Sequence, residues 1–274
     1  MIDYLLPLYA LSIYGIVKFF TLPKKLKENE INWKPLETVG VTLAIYFGAQ
    51  FVGALMLYGI LTLAGWDGPK ITDWLENAVL AQFLFIVCVE ILSVWLVMVF
   101  IKRRKATLKT IGLGRKPVLS DLGHAVLGFG AYFLIFLVAS SIAQALMPQL
   151  NVDQQQQIGF ESAHGLALAL VFISLVILPP FAEEIMVRGF LYSGLRKGLS
   201  KTWAVLITSG LFAVAHLQAG SGEPLLWIAA IDTFTLSLVL IYLRDKTGSL
   251  WSSIGLHMIK NGVAFFILFV FHLG

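Results

Sequence analysis

The sequence is poor in charge and nearly free of cysteine. Acidic and basic residues make up 13% of its 274 positions, about half the share usual in a soluble domain. With 58% hydrophobic residues and a mean hydropathy of +0.83, water is excluded as the main solvent of its surface. One cysteine, Cys88, excludes both an intrachain disulfide and a cysteine-built zinc cluster, and leaves the redox compartment undetermined. The opening Met1-Ile2-Asp3 has no basic stretch and is followed by no clear small-x-small cleavage site, so the first apolar segment reads as an anchor, not a cleaved signal. No repeat relates the two halves, which weighs against an inverted-repeat transporter. The one low-complexity feature, Gln154 to Gln157, reads as a solvated loop.

What the sequence has in abundance is apolar length. A helix crossing about 30 Å of hydrocarbon needs roughly 20 mostly apolar residues. Eight stretches approach that length: 2–20, 37–66, 78–102, 122–147, 164–197, 202–219, 225–243 and 251–272. The expected fold is therefore all-α, a polytopic membrane bundle of about eight transmembrane helices, with no polar module between spans.

The basic residues test this count, because Lys and Arg collect in cytoplasmic connections. Lys18, Lys24, Lys25, Lys27 and Lys34 surround the first connection, and Lys102 to Lys105, Lys109, Arg115 and Lys116 surround the third. Arg188, Arg196, Lys197 and Lys201 flank the fifth, and Arg244 and Lys246 the seventh, leaving only Lys70 and Lys260 elsewhere. The pattern predicts a multi-pass protein with both termini on the non-cytoplasmic side. It also explains the pI near 9.1 by membrane orientation, with the lipid bilayer and not nucleic acid as the partner.

Ionisable groups inside a span cost several kcal/mol and usually line a cavity, pair or serve function. The fifth stretch carries Pro179-Pro180-Phe181-Ala182-Glu183-Glu184, with Arg188 following. The prolines remove N–H donors and should kink the helix, leaving carbonyls in need of partners. Residues four apart share a helical face, so Glu184 is expected to pair with Arg188 while Glu183 points elsewhere and is the first candidate for a general base. The bland alternative is that both acids cap and pair near an interface. Two further spans carry Phe212 with His216 and His257 with Asn261, each an i, i+4 pair. Counted from Arg196, Glu183 lies about 20 Å deep, and counted from Thr202, His216 lies about 21 Å deep. A water-filled pocket open to the cytoplasmic side would connect Glu183, His216, His257 and Asn261. Glu90 and Asp232, also inside spans, are expected to be structural, and Lys260 to snorkel or line the pocket.

These residues resemble the CPBP family, also called Abi, which includes the type II CaaX prenyl endopeptidases. Its Glu-Glu-x-x-x-Arg stands as Glu183, Glu184 and Arg188, its Phe-x-x-x-His as Phe212 and His216, and its His-x-x-x-Asn as His257 and Asn261. The resemblance covers about residues 120 to 270 and implies a protease core in 122–274, preceded by N-terminal helices and basic connections in 1–121. It implies an eight-helix fold that cleaves a peptide bond in a membrane-sheltered cavity, acting on a peptide or lipidated protein. Two chemistries stay open. In one, Glu183 assisted by His216 activates water, His257 and Asn261 bind the oxyanion, and Glu184, Arg188 and Phe212 support the frame. In the other, His216, His257 and Glu183 or Glu184 hold zinc, a possible cofactor. The alternatives to a protease are a non-catalytic scaffold or bacteriocin-immunity factor of the same family, and an ion-coupled transporter.

Overall fold

The computed structural model describes residues 31–151, 154, 159–160, 163–219 and 224–272. The expected first span, 2–20, lies outside them, as does most of the Gln154 to Gln157 stretch. Among the described residues every regular element is helical. The helices are α1 (Pro35–Leu63), α2 (Gly68–Asn77), α3 (Val79–Arg103), α4 (Leu119–Leu146), α5 (Ala167–Gly198), α6 (Lys201–Val214), α7 (Trp227–Thr247) and α8 (Trp251–Val270). Six of them, all but α2 and α6, are long and apolar enough to cross a membrane.

Local chemistry sets most of the helix ends. Pro35 opens α1, where its missing N–H costs nothing, and the Glu37 side chain accepts from the Lys34 amide at 3.3 Å. Asp67 caps α2 by accepting from the Lys70 amide. Gly248 closes α7 with φ of 66°, a left-handed conformation that glycine enters freely, and its amide returns to the Arg244 carbonyl.

The packing is that of a bundle in lipid. On α1 the buried positions Thr38, Thr42, Ile45, Ala49 and Gly53 form one narrow stripe of mostly small residues, as close helix approach in membranes requires. The rest of α1 exposes Phe47, Phe51, Leu55 and Ile60, and α3 and α4 likewise expose Ile91, Trp95, Phe133 and Val138. A soluble helix would carry polar residues on those faces. The most enclosed helix is α7, with 61% of its apolar window buried against 17–28% for α1, α3 and α4. It packs on α4, α6 and α8 and forms the centre around which the site is built.

Two features differ from the sequence expectation. The connection left between the second and third apolar stretches, which carries the acidic residues Asp67, Asp73 and Glu76, is largely helix α2, whose Trp74 meets Trp66 edge to face at 5.7 Å while Lys70 lies over the Trp66 ring at 4.1 Å. The sixth apolar stretch, expected over 202–219, is helical only over Lys201–Val214. Its last carbonyls tighten into a turn, with the His216 amide on the Ala213 carbonyl, so His216 sits just past the helix end.

Clamps at one end of the bundle fix helix positions. The Arg115 guanidinium donates twice to Asp121, at 2.6 Å each, and Asp121 also accepts from the Ser252 hydroxyl at 2.8 Å. The Trp251 indole donates to the Arg115 carbonyl at 2.7 Å. Together these tie the start of α4 to the start of α8.

Candidate active site

The double proline shapes the helix that carries both glutamates. Pro179 has no N–H for the Leu175 carbonyl, nor Pro180 for Val176. Just before them the chain widens into a five-residue turn, Ile173–Ile177, closed by the Leu178 amide on the Ile173 carbonyl. A second wide turn, Glu184–Leu191, follows, and all eight of its residues are buried. Such π-type turns frequently mark functional sites in helices. The Leu175 carbonyl accepts from the Asn261 side-chain amide of α8 at 2.9 Å. Asn261 thus fills a bonding deficit that Pro179 creates on another helix.

Glu184 and Arg188 meet as their spacing predicts, with Arg188 Nη1 and Glu184 Oε1 2.9 Å apart and both side chains wholly buried. The same Glu184 oxygen lies 3.0 Å from His257 Nδ1. A carboxylate can only accept, so His257 carries its proton on Nδ1 and turns Nε2 away from Glu184. Nε2 then faces Glu183, with Oε2 at 3.7 Å. Phe212 explains itself in this frame: the Arg188 guanidinium lies 4.1 Å above its ring, the His257 ring meets it edge-on at 6.0 Å, and the His216 ring stands 4.6 Å away. A cation over an aromatic face is stabilised by the ring's negative face, most of all when water is absent.

His216 is held differently. Its Nδ1 lies 2.8 Å from the Phe212 carbonyl, one of the orphan acceptors at the end of α6. A carbonyl cannot donate, so Nδ1 bears the hydrogen, and in the neutral ring Nε2 is left as a proton acceptor.

Two cavities meet at these groups. One, of about 440 Å³, runs between α1, α5 and α6 and is lined by Thr42, Tyr46, Met186 and Phe212. The other, of about 500 Å³, lies among α5, α7 and α8 and is lined by Pro179, Asp232, His257, Lys260 and Asn261. Glu183 and His216 line both. The four residues expected from sequence to share a chamber, Glu183, His216, His257 and Asn261, therefore all border the second cavity. Glu184, Arg188 and Phe212 stand behind them.

The second cavity also holds residues that sequence reasoning set aside. Lys260 Nζ and Asp232 Oδ2 pair at 2.9 Å, and the Tyr132 hydroxyl donates to the other Asp232 oxygen. The signal available for Lys260 and Asp232 was their position inside apolar spans. Tyr132 had none.

A zinc site would need at least three donor side chains converging on one point. Among the described residues no three His, Cys, Asp or Glu side chains are grouped so as to hold a metal ion. Glu184 Oε1 is taken by Arg188 and His257, and His216 Nδ1 by a carbonyl. As the side chains stand, the described residues do not form a zinc site.

Residues 165–263 match the family described as Type II CAAX prenyl endopeptidase Rce1-like, and this stretch contains all three motifs. The segment is similar to Rce1-like domains. Two Bacillus subtilis (strain 168) proteins are similar to the longer chain. An uncharacterized protein, YyaK, is 29% identical over 202 residues, 70% of this chain and 64% of its own length; the chain thus spans less than two thirds of that relative. YdiL, named a putative membrane peptidase, is 29% identical over 220 residues, 79% of this chain and 83% of its own. No solved structure matches. The CPBP resemblance drawn from the motifs is borne out, and the Rce1-like stretch lies within an integral, multi-pass helical protein.

Proposed function

We propose that this protein is an intramembrane endopeptidase that hydrolyses a peptide bond with water activated between Glu183 and the two histidines. The observation that carries the reading is the Glu183 Oε2 to His257 Nε2 separation of 3.7 Å on the wall of the second cavity. At that spacing a single water lies within hydrogen-bond reach of both atoms. The protein site is also balanced in charge. Glu184 offsets Arg188, and one proton shared by Glu183 and His257 leaves the remaining pair neutral, which a low-dielectric interior favours over any unpaired charge.

In the working state Glu183 is the carboxylate and accepts the water proton as the water oxygen attacks the carbonyl carbon. His216 Nε2, held as an acceptor by the Phe212 carbonyl, assists. The His257 imidazolium, braced by Glu184, donates Nε2–H to the oxygen that gains charge, and the second N–H of the Asn261 amide supplements it. Collapse of the tetrahedral intermediate breaks the C–N bond, and the proton collected by Glu183 passes to the leaving amine. Residues 122–274 are the catalytic core in this reading, the substrate is a membrane-borne peptide or lipidated protein, and the termini face away from the cytoplasm.

The test is mass spectrometry of membrane peptides from cells making either the native protein or Glu183→Gln. Fragments present only with the native protein support the reading and identify the substrate. Identical fragment sets at equal expression favour a non-catalytic scaffold of the same family.

A further inference from the structure

The second cavity has a charged wall that the hydrolytic steps leave unused. Lys260 lies three residues beyond His257 on α8, so the two share a helical face, and Lys260 is about 4.5 Å farther along the axis. It is one of only two basic residues outside the positively charged connections. Lysine in a span costs several kcal/mol unless partnered, and here the partner is prepared with care. Asp232 of α7 accepts from Lys260 through one carboxylate oxygen at 2.9 Å and from the Tyr132 hydroxyl of α4 through the other. Both side chains of the ion pair keep some exposure, 22% for Lys260 and 17% for Asp232, and both line the cavity that holds Glu183, His216 and His257.

An ammonium has three N–H groups, and the contact with Asp232 takes one. A pair that served only to join helices would be expected to close on itself away from the cavity, whereas this one stands on the wall beside the proposed reacting centre. We infer that Lys260, held in place by Asp232 and Tyr132, is a positioning residue that binds a carboxylate of the substrate. The inference rests on the peptidase reading for its biological meaning. The carboxylate has two sources, the free C-terminus of a peptide or the side chain of an acidic residue near the cleaved bond. In either case the charge fixes the register of the chain against Glu183.

Binding can be measured without turnover. The probe is acetyl-Leu-Leu-Leu as free acid and as carboxamide, with acetyl-Leu-Leu-Glu-amide as the side-chain form, titrated calorimetrically into detergent-solubilised Glu183→Gln protein. A charge-assisted hydrogen bond predicts that a carboxylate form binds roughly ten- to a hundredfold more tightly than the carboxamide. Preference for the free acid alone assigns a C-terminus, and equal preference for the glutamyl form assigns any carboxylate. In the additional double variant Lys260→Met with Asp232→Asn, which removes both charges together, the advantage should fall to about onefold, while Lys260→Arg keeps most of it. Equal binding of acid and amide, including no binding of either at millimolar concentration, overturns the inference, as does a preference that survives in the double variant. None of these outcomes depends on cleavage. Loss of the carboxylate preference leaves the peptidase reading standing, and absence of proteolysis leaves the carboxylate site standing.

Discussion

Asn261 and Arg188 act through bonds that cross between helices or sit wholly out of water, so their removal has calculable consequences. Replacing Asn261 by Leu strips the Leu175 carbonyl of its donor, and a buried acceptor left unmet costs about 1–3 kcal/mol. The expected result is a lower unfolding midpoint in detergent, measured by thermal or denaturant titration, alongside any effect on turnover. Arg188→Met is harsher, because Glu184 is then left buried without its cation. Breaking a buried pair from one side costs about 3–5 kcal/mol, so this variant should unfold earlier than Asn261→Leu; equal stability of the two would contradict the pairing. At this scale the Glu184–Arg188 contact was legible because it lies within one helix and follows from spacing alone. The contacts from Asn261 to Leu175, His257 to Glu184 and Tyr132 to Asp232 were not legible, since no local rule says which neighbour a side chain will meet on another helix. Proline did supply half of the first, by announcing that a carbonyl would need a partner.

Helices hold the site through where they bend, end and approach. Apolar length located six of the spans to within a few residues, because the hydrocarbon thickness sets a length that the sequence must meet. The same property hid the end of α6: Ala215 and Leu217 are as apolar as the helix they follow, and only the turn that places His216 Nδ1 on the Phe212 carbonyl stops it. Helix α2 was missed for the opposite reason, since its acidic residues and short length read as a connection. Close approach is tested at Gly194, in the last turns of α5. A Cβ there would clash with Thr38 Oγ1 and stand 2.6 Å from Trp33 Nε1, so Gly194→Ala must displace the Thr38 and Trp33 side chains from their packing on α5. Overpacking of this kind costs about 1–3 kcal/mol, and the variant should show a reduced unfolding midpoint, whereas Gly210→Ala, with nothing within 4 Å of its added Cβ, should not.

The described part of the molecule is turned inside out relative to a soluble protein, with large apolar residues on its outer faces and the ionisable groups Glu183, Glu184, Arg188, His216 and His257 gathered at the junction of α5, α6 and α8. The orientation proposed from the basic connections is tested by labelling. In a Cys88→Ala background, Thr107→Cys in the third connection should react with a membrane-impermeant maleimide only after the membrane is opened. Trp66→Cys in the second should react in intact cells, and the reverse pattern would overturn the proposed orientation. The family resemblance and the multi-pass architecture were legible from three motifs and the apolar runs. The cavity that the motifs share needed the three-dimensional placement of α5, α6 and α8. The claim on which the account turns is that Glu183 is the base for water. Its most direct measurement is the rate at which purified, liposome-reconstituted protein cleaves a peptide substrate, compared with Glu183→Gln of equal unfolding midpoint. Loss of the base should lower kcat on the order of a hundredfold or more. Turnover of the folded variant within about twofold of the native rate would contradict it.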